Sequence, residues 1–572
     1  MNDVKSLYNL WRENAVRDGD LIKELIEKEA DTEQISDMFY RSLKFGTAGL
    51  RGIIGAGTNR MNVYTVGQAA QGLSDYLNSE FENPTIAIAY DSRIKSELFA
   101  KEAAGVLAAN GIYVYFFPEL VPTPMLSYAV RTLGCSSGII ITASHNPAEY
   151  NGFKCYDKNG YQMTDEAAEK TYSFISKVDL FKDIKRMEFD SGLSDDMIDF
   201  IEQWLFDGFY EEVLSKRVNK DVSKTSDIKV IYTPLNGTGN KPVQKVLKEM
   251  GIKGLKVVES QKNPDGNFPT CPYPNPEIRQ SFEEAFKTTE TFMADLIIAT
   301  DPDCDRVGIA VLHNGEYKLM TGNELGVMLI EYLLSQMSEN GTLPEEAIVI
   351  KSIVSTPLID VIVNNYNAAL VDLLTGFKYV GEYITLLEKD NKEHRFVFAM
   401  EESYGYLAGV HARDKDAVVA SMLISEMAAF YKSKGISLYE FMNSIYEKYG
   451  YYISHLDNYT FKGAAGMEKM NEIMSNLRKT PITKIGEANV VISKDYKSGD
   501  VINYKTKEKA ATGLPSSNVV GYVLDSGDTV IVRPSGTEPK LKVYITSKSS
   551  SKESASKKAK SISMLVKDLL AI

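Results

Sequence analysis

This sequence lacks several features that would assign it quickly to a class. It holds only four cysteines in 572 residues (Cys135, Cys155, Cys271 and Cys304), with no C-x-x-C spacing. That is not the framework of a disulfide-dense secreted domain. No apolar run approaches the roughly 20 residues of a membrane span, and Met1-Asn2-Asp3-Val4-Lys5 does not open a signal peptide. A cytoplasmic protein is therefore expected. Basic excess is also missing. The formal charge of -13 argues against a nucleic-acid partner while leaving room for local basic pockets. Gly237-Thr238-Gly239 lacks the third glycine and the acidic residue of a dinucleotide fingerprint, so no nicotinamide cofactor is expected.

What remains is the composition of an ordinary globule, 44% hydrophobic and 25% charged. A chain of this length should form several domains, since single cores seldom grow past about 250–300 residues. A repeated unit supports that reading: an apolar strand, a polar or glycine turn, then a helix. Thr85–Tyr90 leads through Asp91-Ser92-Arg93 to a helical stretch from Ser96. Ile228–Tyr232 leads through the 233–239 turn to a helix over Val243–Met250, and Ala347–Ile350 to a helix beginning near Pro357. Such alternation predicts α/β layers with mostly parallel pairing.

The ends differ. Residues 1–40 read as helices. Past about Tyr452 a hairpin signal appears at Asp525-Ser526-Gly527-Asp528, between the strands 518–523 and 529–532. The tail 552–570 reads as an amphipathic helix, and 506–518 as an exposed insertion.

Four clusters carry the chemistry. Ser144 stands in Thr142-Ala143-Ser144-His145-Asn146-Pro147, after the buried strand Ser137–Ile141. Pro147 is a residue type favoured in a first helical turn, so a strand, a serine and a helix start are expected there, a geometry suited to phosphate. The second cluster, Asp301-Pro302-Asp303-Cys304-Asp305-Arg306, places three carboxylates at alternate positions after an apolar strand. They repel one another unless a cation sits between them. An EF-hand is excluded by Arg306 at the sixth position and Leu312 at the twelfth. A divalent ion completed by a phosphate oxygen fits better.

The third cluster, Glu401-Glu402-Ser403-Tyr404-Gly405, offers short acceptors and donors suited to sugar hydroxyls. The fourth, Arg533-Pro534-Ser535-Gly536-Thr537-Glu538-Pro539, joins a guanidinium, two hydroxyls and a relaxed backbone as a phosphate cradle.

In that order, TASHNP, DPDCDR, EESYG and RPSGTEP resemble the four loops of the α-D-phosphohexomutases, the phosphoglucomutases, phosphomannomutases and their relatives. The resemblance runs from Phe45 to the C-terminus, and the EESYG form resembles that of the phosphoglucomutase branch rather than the glucosamine or mannose branches. It implies three similar mixed-sheet α/β domains plus a smaller C-terminal α+β lid domain around a central cleft. The expected spans are 1–205, 206–320, 321–450 and 451–572.

The resemblance further implies interconversion of glucose 1-phosphate and glucose 6-phosphate, through a phosphoserine at Ser144 and a glucose 1,6-bisphosphate intermediate. Ser144 together with Asp301, Asp303 and Asp305 would hold Mg²⁺. Arg306 and Arg51 would serve as guanidinium partners, and His145, Lys154 and Lys415 would handle protons. Glu401 and Ser403 would grip the sugar, while Arg533, Ser535, Gly536 and Thr537 would hold the phosphate that is not reacting. Thr375-Gly376-Phe377-Lys378 resembles the other specificity loop, with Phe377 where relatives carry His or Trp. A phosphopentomutase, a phosphomannomutase, a sugar-bisphosphate synthase and a non-catalytic sugar-phosphate-binding protein are the alternatives.

Overall fold

The computed structural model describes residues 2–46, 49–461, 463–535 and 540–572. They form two compact units. The first comprises Met1–Met320, Val380–Phe396 and Ser403–Ser437; the second comprises Thr321–Tyr379, Val397–Glu402 and Leu438–Ile572.

In the first unit, helices Asn2–Asn14, Gly19–Glu27 and Thr32–Phe39 bear out the helical reading of the N-terminus. Trp11 is fully buried between Phe39, Tyr64 and Phe181, which anchors these helices to the helix Val63–Glu80. A six-stranded sheet follows. Thr85–Tyr90 pairs in parallel with Tyr113–Phe116 and with Ser137–Ile141. Ser137–Ile141 then pairs antiparallel with Tyr150–Asp157, which pairs antiparallel with Gly49–Ile53.

A five-stranded sheet repeats the plan. Lys229–Thr233 and Leu296–Thr300 are parallel, and Leu296–Thr300 turns back into the antiparallel strand Val307–His313. The pairing is thus mixed rather than mostly parallel. Each sheet changes from parallel to antiparallel at a hairpin, and each hairpin turn carries one of the chemical clusters. The helix expected over 243–250 is Asn240–Glu249, because Pro242 is tolerated in a first turn, where its missing N–H is not needed.

In the second unit, Ile348–Ser352 pairs in parallel with Ala369–Leu373, and the helix expected near Pro357 is Leu358–Asn365. The C-terminal part is an antiparallel sheet of eight strands. The hairpin appears as Val520–Leu524 against Thr529–Pro534. The tail helix Lys552–Leu569 buries Ile562 and Val566 against the sheet's core. The stretch 506–518 is largely exposed, but it contains the short strand Lys509–Ala511, paired with Asp500–Asn503. Among the described residues, no helix is long and apolar enough to cross a membrane.

Candidate active site

Ser144 sits in the turn between the antiparallel strands Ser137–Ile141 and Tyr150–Asp157. No helix begins at Pro147, which corrects the expectation of a helical N-terminus. The Asn-Pro pair instead helps a turn that returns the chain as a strand. Ser144 is buried with φ at +52°, a left-handed conformation that is strained for a side chain with a Cβ. Its Oγ donates to Asp301 Oδ2 at 2.7 Å and lies 3.2 Å from His145 Nδ1.

Arg93 holds this turn in place. Its guanidinium donates to the carbonyls of Ser144 (2.5 Å), Pro147 (2.8 Å), Tyr150 (3.0 Å) and Asn146. Asp91 lies 3.4 Å from Arg93 Nε and is itself fixed by the hydroxyl of Ser96 at 2.7 Å, and Phe268 packs under the guanidinium. Arg93 is absent from the residues that the sequence singles out. Its signal was the Asp-x-Arg directly after a buried strand.

The acidic cluster occupies the turn between Leu296–Thr300 and Val307–His313. Asp301 Oδ1 accepts the N–H groups of Asp305 and Arg306 at 3.1 and 3.0 Å, and Cys304 takes φ of +52° to close the turn. Asp301, Asp303 and Asp305 are buried, and one oxygen from each lies within 4.8 Å of the others. Lys154 Nζ donates to Asp303 at 2.8 Å, and Lys415 Nζ lies 3.2 Å from Asp305.

Burial, with Asp303 and Asp305 alongside, pushes the Asp301 carboxyl well above the usual range. Burial pushes Asp303 the same way, but Lys154 and Lys415 outweigh it and hold that carboxyl low. Asp303 Oδ1 and Asp305 Oδ1 remain buried without a hydrogen-bond partner. Buried carboxylate oxygens left unpaired are costly. The donor set therefore fits a hard divalent cation.

The remaining predicted residues of the first unit gather around this centre. Arg51 donates to Asn146 Oδ1 at 3.2 Å, and Arg306 to Glu277 at 2.9 Å and to the Ser403 carbonyl at 3.3 Å. Lys415 lies 2.7 Å from Asp414, whose other oxygen accepts the Tyr156 hydroxyl at 2.6 Å. Gly405 leaves the space that Lys415 uses, since a Cβ there would meet Lys415 Cδ at 2.2 Å. Asp416 caps the helix Ala417–Ser433 and bonds His411 at 2.8 Å, fixing both ends of the 411–416 segment. His145 is pushed well below the usual histidine range by burial, then by Arg306 and Arg51.

In the second unit, Glu401 accepts the N–H of Gly376 at 2.6 Å, and Gly376 has φ of +125°, which favours glycine. Phe377 and Lys378 are buried, with Lys378 Nζ 5.2 Å from the Tyr379 ring. Glu402 accepts from Ser352 at 3.0 Å, and burial with Glu401 beside it raises its carboxyl. Arg533 lies on the strand Thr529–Pro534 opposite Lys542, and its charge acts on the Tyr544 hydroxyl against the upward push of burial. Ser535 N–H donates to the Lys540 carbonyl at 2.7 Å. Gly536 and Thr537 lie outside the described residues.

Comparison with known proteins decides the family. The phosphoglucomutase/phosphomannomutase alpha/beta/alpha domains I, II and III match residues 42–181, 207–315 and 321–449, and the C-terminal domain matches 484–559. The chain belongs to the phosphoglucomutase/phosphomannomutase family. Among curated relatives, the phosphoglucomutase of Staphylococcus saprophyticus is 35% identical over 94% of this chain and 96% of its own. That of Staphylococcus aureus strain RF122 is 35% identical over 94% and 95%. A putative phosphomannomutase from Thermus thermophilus has the same fold, with a TM-score of 0.68 at 20% identity over 93% of this chain and 100% of that one. So does the open form of the Paramecium phosphoglucomutase parafusin, with 0.67 at 18% over 93% and 96%.

The same local design recurs along this family member. The turns carrying Ser144, the aspartates and Tyr404 each hold one non-glycine residue at positive φ: Ser144 at +52°, Cys304 at +52° and Tyr404 at +66°. Strained backbone of this kind persists where surrounding contacts fix it, as Arg93 fixes the Ser144 turn.

Proposed function

We propose that the protein interconverts α-D-glucose 1-phosphate and glucose 6-phosphate, with Ser144 as the phosphoryl carrier. The observation that carries this reading is the Ser144 hydroxyl bonded to Asp301 at 2.7 Å, in a buried cluster of three aspartates faced by two lysines. A hydroxyl in that setting has a carboxylate to orient it and cations to meet phosphoryl oxygens. Whole-length likeness to phosphoglucomutases favours glucose over the other sugars.

In the first half-reaction a sugar hydroxyl oxygen attacks the phosphorus on Ser144 in line; the new O–P bond forms as the bond to Ser144 Oγ breaks, the electron pair returns to the serine oxygen, and the hydroxyl proton passes to a base. In the second, Ser144 Oγ gives its proton to a base and attacks the other phosphate of the bisphosphate; the Oγ–P bond forms as that sugar O–P bond breaks, and the freed sugar oxygen takes up a proton. His145, Lys154 and Lys415 are the candidates for these proton movements. His145, kept neutral by its surroundings and 3.2 Å from Ser144 Oγ, is suited to the serine side.

Asp301, Asp303 and Asp305, with an oxygen on Ser144, would hold Mg²⁺, which when bound neutralises charge on the transferring phosphoryl group. Arg51 and Arg306 would hold the equatorial oxygens. Glu401 and Ser403 would bind sugar hydroxyls, with Thr375 to Lys378 as a second specificity loop. Arg533, Ser535, Gly536 and Thr537 would bind the distal phosphate. Donation to one end of the sugar and recovery from the other requires glucose 1,6-bisphosphate to turn over without losing its phosphate to water.

A cytoplasmic location is supported by four buried, unpaired cysteines, which suit a reducing compartment. The deciding experiment is a panel of glucose, mannose, glucosamine and ribose 1-phosphates, each with a trace of its bisphosphate. Glucose 1-phosphate should give the highest kcat/KM. A higher value for another sugar overturns the substrate assignment, and no turnover of any overturns the enzyme reading.

A further inference from the structure

Residues 262–278 join two short 3₁₀ helices, Glu259–Gln261 and Arg279–Phe282, with no helix or strand between them. A stretch this long without an element of its own is uncommon inside a compact domain unless it serves a site. Five of its residues are proline: Pro264, Pro269, Pro272, Pro274 and Pro276. Each proline fixes its own φ near about −65° and leaves the unfolded chain fewer states to lose, so the segment is stiff rather than slack.

The segment runs along the reacting centre. Phe268 packs under the Arg93 guanidinium at 5.1 Å, and a Cβ on Gly266 would lie 2.4 Å from the backbone nitrogen of Ile94. The Tyr273 ring then stands nearly perpendicular to the His145 ring, 6.1 Å away. A Cβ on Gly308 would meet the Pro276 carbonyl at 2.3 Å, which seats the segment on the strand that follows Arg306. Buried Asn275 fixes its far end. The Asn275 side chain accepts the Glu277 N–H at 3.0 Å, and its carbonyl accepts the Ser281 hydroxyl at 2.5 Å.

Glu277 is thereby held beside Arg306. Arg306 Nη1 donates to Glu277 Oε1 at 2.9 Å and to the Ser403 carbonyl at 3.3 Å, while Nε lies 3.9 Å from Asp305. A guanidinium carries five N–H donors in one plane, so acceptors at Nη1 set the direction of the plane without exhausting the group. The two side chains are 31% and 20% exposed, and ion pairs this open to water add little stability. Orientation is the larger effect, since misplacing a reacting group by about 1 Å costs about 10²-fold in rate.

We propose that Glu277 is a positioning residue for phosphoryl transfer, aiming the Arg306 guanidinium at the phosphoryl group on Ser144 from a proline-stiffened support. The proposal rests on the phosphoglucomutase reading, in which Arg306 holds the equatorial oxygens. The same contact has one other use, as a carboxylate that blocks Arg306 and must leave before phosphate binds. The two roles give opposite kinetics. Removing a positioning residue lowers kcat and leaves KM, whereas removing a blocker lowers KM and leaves kcat.

The test is steady-state turnover of glucose 1-phosphate, with Mg²⁺ and a trace of glucose 1,6-bisphosphate, by the full-length protein. Glu277→Ala should lower kcat about 10–100-fold with KM within about twofold, and Tm should stay within a few degrees of the wild type. Glu277→Gln keeps an acceptor for Nη1 and should lose only about three- to tenfold, because the bond survives without its charge. In an Arg306→Ala background either substitution should cost less than about twofold, since no guanidinium is left to aim. Glu277→Gln is nearly isosteric and carries the same cycle if Glu277→Ala fails to fold. The proposal is overturned if kcat is unchanged in Glu277→Ala, if KM falls while kcat holds, or if the loss repeats in full without Arg306. Wild-type turnover separates it from the reading beneath it. An active wild type with unaltered variants removes Glu277 alone, whereas a wild type inactive on every sugar 1-phosphate removes both.

Discussion

Around Ser144, charged groups hold one another before any substrate arrives. Arg93 grips the turn carbonyls, and Lys154 and Lys415 lie 2.8 and 3.2 Å from the aspartates. The recognition loops of the second unit include contacts made through backbone N–H groups. Glu401 accepts one N–H from Gly376, and Ser535 donates its N–H to Lys540. The difference matches the tasks proposed for them. Phosphoryl transfer depends on charges fixed in advance, whereas a sugar that must be bound in two orientations is better served by contacts that can be remade.

The largest expected effect is at the carrier. Ser144→Ala should reduce mutase turnover by a factor on the order of 10⁵ or more, as loss of a nucleophile does. Thermal unfolding should stay within a few degrees of the wild type. Substantial residual turnover would dissolve the contrast, because the chemistry would then lie elsewhere.

Asp303→Asn comes next, with kcat falling about 10²–10³-fold, the usual loss when one electrostatic stabiliser is removed. Excess chelator should silence the wild type and Mg²⁺ should restore it. Full activity in chelator would break the three-aspartate assignment.

The bracing of the turn is tested by Arg93→Lys. A lysine keeps the charge but cannot reach four carbonyls at once, so kcat should fall about 10²-fold, comparable to a 1 Å misplacement of a reacting group. KM should change little. A KM effect alone would move Arg93 from positioning to binding.

Arg533→Ala sharpens the other side of the comparison. Loss of a charge-assisted contact should raise KM about 10–100-fold, with a smaller effect on kcat. Inorganic phosphate release should grow as a share of turnover if the same contact helps exclude water.

The smallest effect concerns pH. Asp301 is raised in the folded, metal-free protein by burial and by Asp303 and Asp305. The folded state therefore holds a proton that the unfolded chain releases near the ordinary carboxylate value. That contribution is complete below the ordinary value and is lost as pH rises through the raised one. A metal needs the same carboxylate deprotonated. The gain in Tm on adding Mg²⁺ should thus increase as pH rises above the ordinary carboxylate range. A gain that shrinks with pH would contradict the raised Asp301.

Much of this was legible in the sequence because the clusters are local. Asp301, Asp303 and Asp305 declare themselves by mutual repulsion, and the strand before them by its apolar run. The helix expected after Ser144 was misread because Asn-Pro signals a turn as readily as a helix start. The strand that follows, Tyr150–Asp157, places Gly152 where a Cβ would meet the Thr142 carbonyl at 2.5 Å, a constraint visible only in three dimensions. Arg93 lies 51 residues from the serine it holds, and Tyr156 lies 258 from the Asp414 it orients. Partnerships over such spans leave no spacing to read. The expected mostly parallel sheets missed the hairpins for a local reason: strand direction is set by which turn closes, and the segment 142–149 reads as a helix start as readily as a turn.

The central claim is that Ser144 carries the phosphoryl group, and intact-mass analysis with site mapping tests it most directly. The purified protein should carry one phosphate on Ser144, which disappears on incubation with glucose 6-phosphate as glucose 1,6-bisphosphate appears in equal amount. Phosphate mapped to another residue, or a Ser144 phosphate that does not pass to the sugar, would contradict the account.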